Sequence, residues 1–279
     1  MTSMARSLAL AAVILIGFAG CNKTPEGKPT PQPLPGKSAP ERGDEVSLLR
    51  TPDGGIQPQA LVDAKGTLHL IYFKGKAGAG DLYYVRREAG KDPFSDPMRV
   101  NSQPGSAIAV GTVRGGQIAL GKAGRVHVAW NGVGTDPMTM LYARLNDAGT
   151  AFEKQRDLMG DTSVLDGGGT VAADDAGNVY VAWHALAKGS RPGEQNRRLW
   201  VARSTDEGKT FAKEAPASAE ATGVCPCCST RAFADDKGLV YALYRSANAG
   251  VNRDIHLLAS TDKGDTFRSA LVLRWKVPG

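Results

Sequence analysis

Three of the four cysteines in this 279-residue chain stand within four positions, as Cys225-Pro226-Cys227-Cys228. The spacing is tighter than zinc sites normally use, yet clustered soft thiolates suit copper(I), or zinc completed by a histidine. In an oxidising compartment the same residues suit a local disulfide with one thiol left over. The sequence leaves both open, and nothing else in it demands a cofactor. A second group is ionic: Arg114, Arg197, Arg198, Arg245 and Arg253, with Asp166, Asp254, His184 and Tyr244 near them in the chain. Several guanidinium groups around one point can grip a carboxylate through paired, charge-assisted bonds. A carboxylic acid beside them can protonate a leaving glycosidic oxygen. On that chemistry Arg114, His184, Arg198, Tyr244, Arg245 and Arg253 are expected to bind a ligand, and Asp166 and Asp254 to act on it. Asp166-Gly167-Gly168-Gly169 leads into a strand, so no helix N-terminus is at hand for a phosphate. Close backbone approach is the better reading of those glycines. His127 alternates within an apolar strand and reads as core.

The elements that must position these residues recur. Gly66-Thr67-Leu68-His69-Leu70-Ile71-Tyr72 is echoed by Gly124-Arg125-Val126-His127-Val128-Ala129-Trp130, then by Gly177 to Trp183 and Gly238 to Tyr244. The leading glycines are 58, 53 and 61 residues apart. Each copy alternates with period 2 behind a turn such as Asp174-Asp175-Ala176-Gly177, and so predicts a strand. A second series follows: Ser204-Thr205-Asp206-Glu207-Gly208-Lys209-Thr210-Phe211 and Ser260-Thr261-Asp262-Lys263-Gly264-Asp265-Thr266-Phe267. Weaker copies centre on Gly149 and Gly90, and the four glycines are spaced 59, 59 and 56. Two independent series with one period define four copies of one unit.

Composition agrees. Hydrophobic residues at 42% and charged residues at 22% exclude a disordered chain and a multi-span membrane protein. The 34 glycines suit short strands and tight turns. Net charge is +6, but the basic residues are scattered, so a nucleic-acid partner is not expected. Residues 1–20 hold one charge, Arg6, and an apolar run from Leu8 to Ala19. That run is shorter than the roughly 20 residues a membrane-spanning helix needs, and it fits a secretory signal. Residues 21–44 contain six prolines and little that is apolar, which predicts an extended tether. Residues 45–279 are expected to form the folded body.

Phe18-Ala19-Gly20-Cys21 resembles a bacterial lipobox, which implies that Cys21 is lipidated and becomes the mature N-terminus. The resemblance implies a body held outside the cytoplasm on the bacterial envelope, touching membrane only through its anchor. The Ser-x-Asp-x-Gly-x-Thr-Phe units resemble the Asp-box (BNR repeat) of the sialidase superfamily, over most of residues 56–275. The whole chain looks similar to bacterial sialidase-like lipoproteins that carry a Cys-rich loop. An all-β, sialidase-like β-propeller is implied, with four recognisable blades of four antiparallel strands. Each Asp-box would join the third and fourth strands on the face away from the active site. The opposite face would then carry loops 74–80, 131–140, 184–197 and 245–254, and the inter-blade loops 99–116, 156–169 and 214–229. Propellers of that superfamily have six blades, so a truncated propeller is expected, lacking about 115 residues at this repeat length. The resemblance implies an exo-sialidase-like glycoside hydrolase, or a degenerate relative, acting on anionic glycans. The alternative is a non-catalytic propeller that binds glycan or metal.

Overall fold

The computed structural model describes residues 48–133, 138–248 and 251–277. Cys21, the signal segment and the tether lie outside the described residues, as do parts of the 131–140 and 245–254 loops. The body from Leu49 onward is all-β, with only single turns of 3-10 helix. Among the described residues no helix is long and apolar enough to cross a membrane.

Four antiparallel sheets follow one another along the chain. Blade 1 holds β1 (Ile56–Val62), β2 (Leu68–Lys76), β3 (Ala79–Arg87) and β4 (Met98–Arg99). Blade 2 holds β5 (Gly116–Leu120), β6 (Val126–Gly132), β7 (Thr139–Arg144) and β8 (Arg156–Asp157). A two-residue strand, β9 (Thr162–Ser163), pairs with the far end of the next blade's second strand. Blade 3 holds β10 (Thr170–Ala173), β11 (Val179–Ala187), β12 (Arg198–Ser204) and β13 (Ala215–Pro216). Blade 4 holds β14 (Arg231–Ala234), β15 (Val240–Arg245), β16 (Ile255–Ser260) and β17 (Arg268–Leu273). Each blade is a meander, and β1, β5, β10 and β14 are its innermost strands, packed in succession. All four line an axial cleft of about 310 Å³ through Leu61, Ile118, Leu120, Val171, Ala173 and Phe233.

The turns form for local reasons. Asp63, Asp174 and Asp235 each accept the N–H four residues on, at 2.8–2.9 Å, which closes the turn between first and second strands. Gly66, Gly177 and Gly238 supply the positive φ those turns need. In the Ser204–Phe211 turn, Asp206 accepts from the Thr210 N–H and hydroxyl, and Ser204 Oγ accepts from the Gly208 N–H. Partial burial opposes the Asp206 charge, but these bonds win and pull its carboxyl down to about 2. The Ser260–Phe267 turn repeats the arrangement. Both turns join third to fourth strands.

Blade-to-blade packing supplies the core. The second strands of blades 2 and 3 are buried on both faces. Trp130 packs toward blade 1, whereas Trp183 lies in the cluster between blades 2 and 3. His127 is core as expected: its Nδ1 meets Tyr142 Oη at 2.7 Å, and burial pushes the imidazole down to about 3. Blade 4 is different. Its β17 is exposed throughout, and Phe233 and Leu243 stand out to solvent on its sheet. Among the described residues no further blade packs against it, and that sheet is covered on one face only.

Candidate functional site

The inter-blade loops and the ends of the second strands meet opposite the Ser-x-Asp-x-Gly turns. There, residues from blades 2, 3 and 4 form one connected group. Arg114 pairs with Asp166, whose Oδ1 also accepts the Gly167 N–H. Partial burial opposes the Asp166 charge, but Arg114, the Gly167 N–H and the charge of Arg197 outweigh it and hold the carboxyl below its ordinary range. Arg197 is buried and donates to the Val164 carbonyl at 2.6 Å. Asp166 therefore pairs with Arg114, lies in the field of Arg197 and stays ionised at neutral pH. A general acid needs its pKa raised, so this geometry does not suit it to protonate a leaving group.

The Gly167-Gly168-Gly169 segment allows the close approach its composition predicts. A Cβ on Gly168 would fall 2.1 Å from the Val113 carbonyl, and one on Gly167 would fall 2.3 Å from both His184 Cε1 and the Pro226 carbonyl. Loops from three blades thus touch backbone to backbone. His184 lies inside β11 opposite Leu199, not beyond the strand end, and is fully buried. Its ring reaches the Cys228 carbonyl at 2.9 Å through Nε2. A carbonyl can only accept, so the proton sits on Nε2 and Nδ1 keeps its lone pair, buried without a partner. Burial, only partly offset by that bond, pushes His184 down to about 4. The neutral ring locks the Cys loop in place.

The cysteines follow directly. Cys225 is buried, Cys227 is exposed, Cys228 is half-buried, and all three are free thiols. Their sulfurs lie 3.2, 3.4 and 3.9 Å apart. Arg245 donates to Cys228 Sγ at 3.4 Å. Burial pushes the Cys225 thiol up to about 12, while at Cys228 burial is outweighed by Arg245 and the neighbouring thiols, which lower it. The Arg245 guanidinium also lies over the Trp275 ring, 5.2 Å from its centre. Arg253 pairs with Glu194 at 2.6 Å. Asp254 accepts the Trp275 N–H at 2.8 Å, and the Arg253 N–H donates to the Trp275 carbonyl at 2.7 Å. The chain after β17 is thereby drawn across the mouth of blade 4.

The structure brings together Arg114, Asp166, His184, Arg245, Arg253, Asp254 and the three cysteines. Two residues expected with them lie elsewhere. Arg198 grips the Ser218 carbonyl at the outer edge of blade 3. Tyr244 turns the other way from Arg245, into the core between blades 3 and 4, where its hydroxyl meets Thr222 Oγ1 at 3.0 Å and its ring stacks on His256. Neighbouring strand residues point to opposite faces, so Tyr244 and Arg245 cannot share one site. Sequence reasoning missed Glu194 and Trp275. A lone tryptophan beyond the last repeat carries no local signal of where it lands.

Four-bladed meanders around an axial cleft, with loops converging opposite the Ser-x-Asp-x-Gly turns, define a sialidase-like β-propeller fold. The fold matches the α-L-arabinofuranosidase Arb93A of Fusarium graminearum in complex with an iminosugar inhibitor (TM-score 0.53, 11% identity, 77% of this chain and 66% of that one). It matches Trypanosoma rangeli sialidase in complex with the inhibitor DANA (TM-score 0.51, 13% identity, 76% and 37%). It also matches an ulvan lyase of polysaccharide lyase family PL25 (TM-score 0.50, 14% identity, 78% and 56%). The chain spans between about a third and two thirds of the length of these structures. No protein-family model matches the sequence. No curated protein matches it either. The likeness is one of fold.

Proposed function

We propose that this protein is a glycan-active propeller whose mouth binds an anionic sugar through Arg245 and Arg253. The observation that carries this reading is a pair of unspent donors: Arg245 Nε and Arg253 Nη1 are buried beside the mouth and have no hydrogen-bond partner. An unpartnered guanidinium N–H is costly, and a carboxylate is the ligand its planar fork fits. Trp275, half-exposed beside Arg245, offers an apolar face to a sugar ring. Glycan-processing neighbours of the same fold support the ligand class.

Each charge-assisted bond contributes about 1.5–3 kcal/mol, so Arg253→Ala should weaken binding roughly 10- to 150-fold. Arg253→Lys should be nearly as harmful, because the fork is lost. Calorimetric titration of sialyllactose, and of a neutral analogue without the carboxylate, checks this. Equal binding of the two sugars, or binding of neither, would rule the clamp out.

Hydrolysis is a second reading. Asp254 favours it, being a mouth carboxylate with no ion-pair partner among the described residues. Turnover of a fluorogenic sialoside that is lost in Asp254→Asn would establish an exo-sialidase-like enzyme. Carboxylate-selective binding without turnover would establish a non-catalytic module. We also propose that Cys21 carries lipid and tethers the propeller to the outside of the bacterial envelope. Cys21→Ser should then move the protein from the detergent phase to the aqueous phase, and unchanged partitioning would end that proposal.

A further inference from the structure

The three sulfurs of the Cys225–Cys228 loop converge on one point. A disulfide would use two of the three and leave the last without a role in the cluster. Here every pair is close, with separations of 3.2, 3.4 and 3.9 Å. A point equidistant from such a triangle's corners lies about 2 Å from each, and a thiolate–metal bond is about 2.3 Å, so an outward shift of roughly 0.3 Å would seat an ion in the plane. Among the described residues no His, Asp or Glu adds a fourth ligand atom to this group.

The loop is also built to stay in this shape. Its entry is fixed by the Val224 N–H on the Glu194 carbonyl at 3.1 Å and by the Cys225 N–H on the Arg245 carbonyl at 2.9 Å. Its middle rests on Gly167, where a side chain would collide with the Pro226 carbonyl. Its exit is held by His184 on the Cys228 carbonyl, and Ser229 bridges to Gly168. A ligand set held by its surroundings in this way loses little entropy when an ion enters.

We propose that Cys225, Cys227 and Cys228 form a three-coordinate copper(I) site in the mouth of the propeller. Structural zinc takes four ligands in a tetrahedron, and the described residues supply three here, whereas soft thiolates select copper(I). Charge agrees. Binding releases three thiol protons, and one copper(I) with three thiolates carries a charge of about −2. One guanidinium faces it directly, since Arg245 donates to Cys228 Sγ, while Arg253, already paired with Glu194, adds a longer-range attraction to Cys225 and Cys227. The site shares Arg245 and Arg253 with the sugar reading but does not rest on it, because it needs no glycan.

The test is an anaerobic titration of the reduced, purified full chain with copper(I) buffered by bicinchoninate, with no sugar present. One equivalent should bind, with a thiolate-to-copper absorption band and three sulfur neighbours in X-ray absorption. Cys227→Ser and Cys228→Ser, each at a half-exposed or exposed position, should weaken it at least 100-fold while circular dichroism stays unchanged. Zinc, titrated in the same way, should bind more weakly and be displaced by copper(I). Three titratable thiols with no copper(I) uptake would overturn the proposal. So would zinc that copper(I) fails to displace, or a mapped bridge between two of the cysteines in protein purified anaerobically. Retained copper(I) affinity in both serine variants would overturn it too.

Discussion

Glu214→Ala is expected to lower the stability of the body by roughly 3–5 kcal/mol, a fall in melting temperature of about 10 °C. Glu214 is buried at the entry to β13, and its Oε1 gathers four donors from the neighbouring loop. These are the N–H groups of Gly160 and Asp161 at 2.7 Å, the N–H of Thr162 at 3.1 Å and the Thr162 hydroxyl at 3.0 Å. Alanine leaves those donors facing a cavity, and each buried donor without a partner costs about 1–3 kcal/mol before solvent enters. Glu214→Gln keeps an acceptor oxygen of the same shape and loses only the charge assistance, about 1–2 kcal/mol. The gap between the two variants in urea unfolding is the diagnostic quantity. If alanine cost no more than glutamine, the loop would not depend on this carboxylate. The consequence reaches the mouth, because the loop Glu214 holds runs directly into Val164, Leu165 and Asp166. The alanine variant should therefore also loosen the Arg114–Asp166 pair.

Gly208→Ala should cost roughly 2–4 kcal/mol, against about 1 kcal/mol for Gly149→Ala. The two glycines occupy equivalent turns in blades 3 and 2 with nearly equal dihedrals, φ +77 and φ +69. Any side chain at either position bears the same backbone strain. Their surroundings differ. A Cβ on Gly149 meets nothing within 4 Å, whereas one on Gly208 would fall 1.8 Å from Tyr142 Oη. Tyr142 cannot withdraw easily, since it is fully buried, bonded to His127 and set edge-on to Phe211. Arg144 donates to the Glu207 carbonyl and Arg156 to the Gly208 carbonyl, both at this same seam. The turn of blade 3 is thus a staple on blade 2. Chemical denaturation of the two variants separates the seam from the strain: equal losses would show that the contact with Tyr142 is not under compression.

Strands, turns and repeat boundaries were written in the sequence because their causes are local. Period-2 alternation places a strand's two faces, glycine permits the turn, and every partner of Asp206 and Asp262 in their turns lies within four residues. The close approach at Gly167-Gly168 and the core role of His127 were legible for the same reason. What each face meets is not local. Tyr244 and Arg245 have equal claims on the mouth until blade 3 is seen to bury the face that carries Tyr244. His184 reads as a strand end, yet β11 continues to Ala187 because β9 pairs with it from across the blade. Trp275 reaches Arg245 only because Asp254 and Arg253 draw in a segment more than 20 residues downstream. Residue types alone left the three cysteines undecided between bridge and metal. The tertiary structure decided their convergence, because a glycine of one loop, a histidine of a strand and an arginine of the next blade jointly fix a turn whose own closing bond, from the Cys228 N–H to the Cys225 carbonyl, is long at 3.5 Å.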